Sequence, residues 1–177
     1  AVLAGFRHAL ARGYDYVFEM DADFSHKPEE IPTFLGAIQH ADMVIGSRTT
    51  QAQRGSLTLP QRVGNRLACA LIGRLFGVRY TDLGPFRAIR REALERLNMR
   101  DRGFGWTVEM QAKAACGRVR VAEVPVRYRP RIGRSKISGT ISGTVRAGTA
   151  ILLTIAKIAL WAERVPPREG SCANTAR

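Results

Sequence analysis

The sequence predicts an α/β fold in which helices and strands alternate around a sheet. A mostly apolar strand pattern at residues 15–20 is followed by a helical pattern at 28–39 and by a second apolar strand pattern at 42–46. A strand, a crossover helix and another strand in this order favour a parallel sheet. The chain has 177 residues and an apolar fraction of 45%, enough for one domain with its own hydrophobic core.

The remaining elements follow from apolar periodicity and from residues that end helices. Glycine follows the last apolar position of three predicted helices, at Gly13, Gly77 and Gly117. Pro28 suits the first turn of the second helix. The predicted helices cover residues 1–12, 28–39, 61–76, 91–97, 107–116 and 140–162. Further strands are predicted within residues 80–90 and 119–128, and residues 47–60 form a polar loop long enough to suggest a lid.

Two carboxylates come directly after the first strand, in the run Asp21-Ala22-Asp23. Residues two apart on a strand point to the same side while the pleat lasts, so the two side chains can converge on one cation. Carboxylate oxygens suit Mg²⁺ or Mn²⁺, which typically complete their coordination with substrate phosphates. In open α/β sheets, ligands bind outside the carboxyl ends of strands. Asp23 could also cap the following helix, and the two interpretations are compatible.

Charge is spread unevenly along the chain. The formal net charge is +13, yet residues 1–50 carry seven acidic residues against four basic ones. Between Arg118 and Lys136 there are seven basic residues and one acidic residue, Glu123. Such a surface could meet nucleic acid, anionic lipid or a phosphorylated substrate. A solvated basic face without a partner is the competing interpretation.

The last predicted helix has an apolar stretch at residues 147–162. Sixteen helical residues rise about 24 Å, less than the roughly 30 Å hydrocarbon core of a bilayer. Lys157 also argues against a clean span. The pattern therefore predicts either an interfacial helix, with Arg146 and Lys157 able to reach headgroups, or an ordinary helix that packs on the domain. A span completed by residues elsewhere is a weaker alternative.

The start of the sequence and its cysteines indicate what kind of chain this is and which redox environment suits it. The sequence begins at Ala1 inside a helical pattern, without a signal-peptide leader, so we expect a fragment that lacks earlier elements. Cys69, Cys116 and Cys172 are widely spaced and odd in number, which fits a reducing environment better than a disulfide framework. The resulting domain prediction is a core-bearing domain at 1–138, an interfacial or packing helix at 139–162 and a disordered tail at 163–177.

Four segments of the sequence occur in the order of a known family. They are YDYVFEMDADFSHKPEEIP, ADMVIGSR, DLGPFRAIRREAL and RIGRSKISGT. Together they resemble family 2 glycosyltransferases of the polyprenol-phosphate (dolichol-phosphate) mannosyltransferase type, over about residues 1–162. The resemblance implies a GT-A (Rossmann-like) fold, here incomplete at its N-terminus, and a Mg²⁺ or Mn²⁺ cofactor. It also implies a nucleotide-sugar donor, a polyprenyl phosphate acceptor and a place at the cytoplasmic face of the membrane surface.

The resemblance assigns roles to the first two segments. Asp21 and Asp23 match the family's Asp-X-Asp, which holds the metal against the donor diphosphate. Ser25 stands where many members have Gln as a further metal ligand, which leaves the third ligand open. Arg48 matches an arginine on the side of the acceptor phosphate.

The resemblance also assigns a role to the basic loop near residue 133. Gly133, Ser135 and Lys136 match the family's Gly-X-Ser-Lys segment, which closes over the donor phosphates. The family's arginine before this segment corresponds to Arg129 or Arg131, and the sequence leaves both open. In the processive polysaccharide synthases related to this family a Gln-X-X-Arg-Trp motif occurs; neither tryptophan here lies in one, which favours transfer of a single sugar.

The expected chemistry needs a stabilised leaving group more than a strong base. Departure of a nucleoside diphosphate develops negative charge that a metal ion and arginines stabilise. The acceptor phosphate is already ionised near neutral pH, so its direct attack should invert the anomeric centre. Asp82 or Glu109 could position the sugar or act as a base. Alternatively, Asp82 merely ends a strand and Glu109 lies on a helix surface.

We expect a hexosyltransferase that uses GDP-mannose or UDP-glucose, and we expect this chain by itself to be poorly stable and nearly inactive. A basic nucleic-acid-binding module is a second hypothesis, but the sequence contains no zinc-finger spacing, RNP-like aromatic motif or heptad basic region. An inactive transferase-like scaffold is a third.

Overall fold

The computed structural model describes residues 2–101, 103, 105–133 and 141–164, with the backbone alone described at 141, 142, 144, 145 and 161–164. Six α-helices and four strands lie within these residues. The helices are α1 (Val2–Ala11), α2 (Ile31–Ala37), α3 (Leu59–Phe76), α4 (Arg91–Leu97), α5 (Trp106–Cys116) and α6 (Ile141–Arg164). The strands are β1 (Tyr16–Glu19), β2 (Met43–Ser47), β3 (Arg87–Arg90) and β4 (Val121–Pro125).

The four strands form one mixed sheet in the order β1-β3-β2-β4. Strand β3 is antiparallel to both of its neighbours, with Ile89 opposite Val17 on one side and Met43 on the other. Strands β2 and β4 are parallel. The α/β class is therefore confirmed, but the parallel sheet that the strand–helix–strand order favoured is a mixed one, because β3 is antiparallel to its neighbours. Strands β1 and β2 do run in the same direction, as their crossover requires, yet β3 lies between them.

The sheet separates two hydrophobic cores. On one face Val17, Met43 and Ile89 pack with residues of α1, α4 and α5. On the other face Val44 and Ala88 pack with α2. All five residues of β2 are buried, as expected for a strand covered on both faces. A third cluster lies between α3, α5 and α6, and it joins the last helix to the domain through Ile155.

Local signals account for the ends of α3. Thr58 Oγ1 accepts a hydrogen bond from Gln61 N at 3.4 Å, and the Gln61 side chain accepts one from Thr58 N at 2.8 Å, which is a capping box. This cap starts α3 at Leu59, two residues earlier than predicted. The predicted stop is confirmed at Gly77, whose φ of 71° lies in the left-handed region that glycine adopts without strain.

The helix predicted at 28–39 is divided into two parts. Residues Pro28–Glu30 form one turn of 3₁₀ helix, and α2 follows at Ile31–Ala37. Pro32 has no N–H with which to continue an α-helical ladder from Pro28, so a single helix over this range cannot form. The prediction of Pro28 in the first helical turn is confirmed.

Helix α6 packs against α3 and α5, and Ile155 and Ile158 are buried there. Its described range ends at Arg164, two residues beyond the predicted end. Among the described residues we find no helix with both the length and the apolar character needed to cross a bilayer. Residues 165–177, most of the predicted tail, lie outside the described part of the chain.

Candidate active site

Most of the predicted site residues that the structure describes gather at one edge of the sheet. Strands β1, β2 and β4 end at this edge and the antiparallel β3 begins there. The segments that follow or precede these strands carry Asp21 and Asp23, Arg48, Asp82 and Arg131. Backbone hydrogen bonds join two of the segments, because Arg129 N donates to Ser25 O at 3.0 Å and Ile132 N donates to Asp23 O at 3.0 Å. Residues far apart in the chain thus form one polar surface.

Asp21 and Asp23 interact electrostatically across this edge. Burial raises the pKa of Asp21, and the neighbouring charge of Asp23 raises it further, against the opposing charges of Arg131 and Arg48. No hydrogen bond or ion pair to the Asp21 carboxylate is present among the described residues. The pair therefore holds negative charge that the protein only partly neutralises, which is a suitable environment for a divalent cation.

Asp23 is held more firmly than Asp21. Its Oδ1 accepts hydrogen bonds from Ser25 N at 3.0 Å and from Ser25 Oγ at 2.5 Å, and its Oδ2 lies 3.2 Å from Arg131 Nη2. Burial disfavours the charged carboxylate, but the Ser25 hydrogen bonds and the charge of Arg131 outweigh this effect and lower the pKa of Asp23. Asp23 is thus ionised and oriented at neutral pH.

Ser25 is fully buried, and its hydroxyl donates to Asp23. In this position it orients one member of the acidic pair. Its prediction as a metal ligand in its own right stays a prediction.

Arg48 and Asp82 form a buried pair beside the acidic residues. Arg48 Nη2 lies 2.7 Å from Asp82 Oδ1, and Arg48 Nε and N donate to Asp82 Oδ2 at 2.8 Å each. The Arg48 guanidinium also lies 5.1 Å from the centre of the Tyr128 ring. Both oxygens of Asp82 are therefore occupied by Arg48.

The two arginines that the sequence left open take different places. Arg131 approaches the Asp23 carboxylate. Arg129 instead donates from Nε to the backbone carbonyl of Phe24. Arg131 is thus the one whose guanidinium faces the acidic pair, whereas Arg129 holds the backbone around it. Ser135 and Lys136 lie outside the described residues.

Glu109 lies in α5 and is engaged away from this surface. Its carboxylate accepts hydrogen bonds from Arg100 N at 3.0 Å and Asp101 N at 2.7 Å, and it pairs with Lys113 Nζ at 2.7 Å. The expectation that Glu109 is a simple helix-surface residue is wrong, since it is 5% exposed. These contacts indicate that it stabilises the loop before α5, and its prediction as a substrate-binding residue stays untested.

Sequence reasoning missed Glu19 and Arg87, which are opposite each other on β1 and β3. Burial raises the pKa of Glu19 to about 8, against the attraction of Arg87 and with a further contribution from Asp21. Arg87 is buried and donates to Gly84 O, Thr107 O and Gln111 Oε1. A charged residue on the apolar face of β1, two positions after Val17, is the signal that could have identified Glu19.

Sequence reasoning also missed the environment of His26, which no local signal reveals. Its ring lies between Phe86, at 5.3 Å, and Tyr128, at 4.9 Å, and is 2% exposed. Neither ring nitrogen has a hydrogen-bond partner in the described structure. Burial, together with the charge of Arg48, lowers the pKa of His26 to about 4, so the ring is neutral at pH 7.

The sequence matches a family model, described as glycosyl transferase family 2, over residues 1–97. This match covers β1, the acidic pair, Arg48, Asp82 and β3. The chain belongs to glycosyl transferase family 2. The mixed α/β architecture agrees with the GT-A fold that the sequence motifs imply.

Several curated proteins are similar to this family 2 chain. It is 38% identical over 149 residues to an undecaprenyl-phosphate mannosyltransferase of Micrococcus luteus, an alignment that covers 81% of this chain and 61% of that protein. It is 37% identical over 149 residues to a polyprenol monophosphomannose synthase of Mycolicibacterium smegmatis, covering 79% of this chain and 56% of that protein. An uncharacterized glycosyltransferase of Mycobacterium tuberculosis is 34% identical over 151 residues, an alignment that covers 83% of this chain and 66% of that protein. The chain thus spans roughly three fifths of the length of the first two relatives.

The donor set of this family 2 chain fits one kind of metal site. Among the residues that the structure describes, no group of three or more His, Cys, Asp or Glu side chains could enclose an ion. Asp21 and Asp23 offer two hard oxygen ligands, of which Asp21 has no protein partner in that part of the chain. Such a set fits Mg²⁺ or Mn²⁺ that shares its coordination with substrate phosphates, and it does not fit a closed structural site.

Proposed function

We propose that the complete protein transfers a single mannose from a nucleotide sugar to a polyprenyl phosphate. One observation carries the proposal: in a family 2 chain, the acidic pair lies at the same sheet edge as Arg48 and Arg131. The names of the two relatives most informative about substrate support mannose and a polyprenyl phosphate acceptor. GDP-mannose is the donor we propose, in preference to the UDP-glucose that the sequence left open.

The donor side consists of Asp21, Asp23 and Arg131. Asp21 and Asp23 would hold Mg²⁺ or Mn²⁺, which supplies a positive charge for the departing diphosphate. Arg131 contributes a second positive charge beside Asp23 and can pass from that carboxylate to a donor phosphate. We propose that Ser135 and Lys136 complete this side, as the resemblance implies. Ser25 keeps Asp23 oriented through its hydroxyl.

The acceptor side consists of Arg48, which Asp82 orients. An acceptor phosphate oxygen attacks the anomeric carbon while the bond from that carbon to the diphosphate oxygen breaks, so the anomeric configuration inverts. The attacking oxygen is already an anion and no proton has to be removed. Since both oxygens of Asp82 accept hydrogen bonds from Arg48, we infer that Asp82 positions Arg48 and does not act as a base.

We further propose that the protein works at the cytoplasmic face of a membrane surface, where its lipid acceptor is. Cys69 and Cys116 are unpaired, which is compatible with a reducing compartment. We do not propose nucleic acid as a partner, because the family match and the names of the relatives support glycosyl transfer instead. Fractionation of cells that produce the tagged protein, followed by protease treatment of sealed vesicles, tests the location.

The function is tested by assaying the complete protein with polyprenyl phosphate and a panel of nucleotide sugars, in Mg²⁺, Mn²⁺ or a chelator. We expect transfer from GDP-mannose that requires the metal ion and yields the inverted anomer. Asp21→Asn and Asp23→Asn should each lower kcat by roughly 100-fold or more. The exposed Asp15→Asn is the matched control and should retain activity. Full turnover by both site variants would show that the metal assignment is wrong, and no transfer from any sugar would favour an inactive scaffold.

A further inference from the structure

Exposed apolar side chains are concentrated on two neighbouring helices. Eleven large hydrophobic residues are exposed among the described residues, and seven of them belong to α3 or α6. These seven are Leu59, Val63, Leu67, Leu75, Leu152, Leu153 and Leu160. Scattered single exposures are normal on a protein surface, but a concentration of this kind marks an interaction site.

Helix α3 is apolar on two sides. Leu59, Val63 and Leu67 are spaced by four residues, so they form one stripe on the first half of the 18-residue helix. Leu75, the fourth exposed residue, lies about 160° further round the helix than Leu59. The opposite side is buried in the domain core. A helix that only covers a core has a polar outer face, so the outer stripe of α3 has no role in folding the domain.

Helix α6 repeats this arrangement next to α3. Ile155 and Ile158 are buried, whereas Leu152, Leu153 and Leu160 are exposed. The two helices are in contact and bury their inner sides in the same cluster. Their outer sides therefore both point away from that cluster. We call these outer sides together the α3–α6 surface.

The charges on the α3–α6 surface identify its partner. Five exposed basic side chains accompany the apolar ones: Arg62, Arg66, Arg74, Arg146 and Lys157. Helix α3 contains no Asp or Glu, and α6 has none among the residues whose side chains are described. Long basic side chains around an apolar stripe are typical of a helix that lies in a bilayer interface and attracts anionic lipid.

We propose that the α3–α6 surface docks the protein onto an anionic lipid bilayer. The inference deepens and rests on the proposed function, since a polyprenyl phosphate acceptor resides in such a bilayer. It assigns part of the docking to α3, for which the sequence suggested no partner.

The structure also connects this surface to the site. Asn65 in α3 donates from Nδ2 to Thr81 O at 3.2 Å and accepts from Leu83 N at Oδ1 at 2.8 Å. These two peptide groups flank Asp82, which holds Arg48. A bilayer bound by α3 would thus have a fixed spatial relation to the arginine proposed for the acceptor phosphate.

The test is co-flotation of the complete protein with vesicles of phosphatidylcholine alone or with phosphatidylglycerol. We expect stronger binding to the anionic vesicles and weaker binding at high salt. Leu67→Glu and Leu153→Glu should each lower the partition coefficient roughly tenfold or more. The pair Arg66→Gln and Arg74→Gln should lower binding to anionic vesicles by roughly 30-fold, with little effect on neutral ones.

Two matched controls lie elsewhere: Leu35→Glu on α2 and Arg12→Gln after α1, both at exposed positions. They should bind vesicles like the unmodified chain, and circular dichroism should show that every variant is folded. Equal binding by Leu67→Glu and the unmodified chain would overturn the inference. Loss of a dimer in the same variant, without a change in vesicle binding, would also overturn it and assign the surface to self-association.

A short-chain, water-soluble polyprenyl phosphate separates this inference from the proposed function. The complete protein with Leu67→Glu should use that acceptor normally and lose activity only with a vesicle-embedded acceptor. If transfer to the soluble acceptor succeeds while vesicles are not bound, the docking inference fails and the function stands. If vesicles are bound and neither acceptor is used, the proposed function fails.

Discussion

Arg48 and Asp82 are 34 residues apart in the chain and form a two-point ion pair at the edge of the sheet. Three donor atoms of Arg48 lie within 2.8 Å of the two carboxylate oxygens. Asp82 is 1% exposed. A carboxylate saturated in this way orients its arginine, and the pair must therefore be considered as one unit.

Removing one partner of this unit should leave a buried charge without compensation. We expect Asp82→Asn to lower the free energy of unfolding by about 3–5 kcal/mol, measured by urea denaturation. The exposed pair of Arg91 and Asp15 is the matched control, and Asp15→Asn should lower stability by less than about 1 kcal/mol.

In the complete protein, the losses of kcat from Arg48→Gln and Asp82→Asn should be far from additive. Additive losses would indicate that Asp82 has a role of its own.

The acidic pair should make the metal-free protein less stable than it could be. Burial and the charge of Asp23 raise the pKa of Asp21, so its stabilising protonated form is fully present only below the unfolded pKa of about 3.8 and is lost as pH rises through the folded value. Asp21→Asn should therefore raise the melting temperature in a chelator. In the unmodified protein, Mn²⁺ at 100 times its Kd should raise the free energy of unfolding by about 2.7 kcal/mol. Asp21→Asn should abolish this stabilisation. An unchanged response to Mn²⁺ would contradict the assigned ligand.

Glu19 should make stability fall with increasing pH. Its pKa is raised from 4.5 to about 8, chiefly by burial, so the protonated form stabilises the protein below pH 4.5 and this contribution is lost as pH rises to about 8. Glu19→Gln, which resembles the protonated acid, should match the unmodified protein at pH 5 and be more stable at pH 9 in urea denaturation. The exposed Glu29→Gln serves as the control. If the free energies of unfolding of Glu19→Gln and the unmodified protein differed by the same amount at both pH values, the raised pKa of Glu19 would be refuted.

His26 should make the protein less stable as pH falls into the acidic range. Burial lowers its pKa from 6.5 to about 4, so its contribution to stability is present above pH 6.5 and is lost as pH falls toward 4. We expect a loss of about 1–3 kcal/mol over this window. His26→Phe keeps a ring between Phe86 and Tyr128 and should remove that pH dependence. The exposed His40→Gln should leave the urea-denaturation profile unchanged; a flat profile in the unmodified protein would contradict the prediction.

Gly84 should tolerate no side chain, since a Cβ there would lie 2.3 Å from Gly46 O. Gly84→Ala must displace the backbone that precedes β3 and should lower the free energy of unfolding by about 1–3 kcal/mol or more. Gly64→Ala is the opposite case, because a Cβ at Gly64 in α3 meets nothing within 4 Å. That change should raise stability by about 0.4–1 kcal/mol. Calorimetric melting of both variants measures the difference, and equal effects would contradict the proposed close approach.

Most helices and strands could be predicted because their signals are local. The four-residue β1 lies inside its predicted range, and α4 has the predicted bounds at Arg91–Leu97. The interruption of the second helix was misjudged, although Pro32 was visible as its cause. Of the site, the acidic pair and Arg48 could be identified from motif order. The raised pKa of Glu19 and the lowered pKa of His26 could not be predicted, since both come from burial by residues distant in sequence.

From the amino-acid order alone come the α/β class, the glycine-terminated α3, the Asp-X-Asp after the first strand and the family resemblance, because periodicity, caps and motifs act over a few residues. Tertiary structure alone decided that β3 lies antiparallel between β1 and β2, that Asp82 holds Arg48, and that Arg131 rather than Arg129 faces Asp23. The reason is physical. Pairing between distant segments depends on which faces are buried together, and no local pattern specifies that.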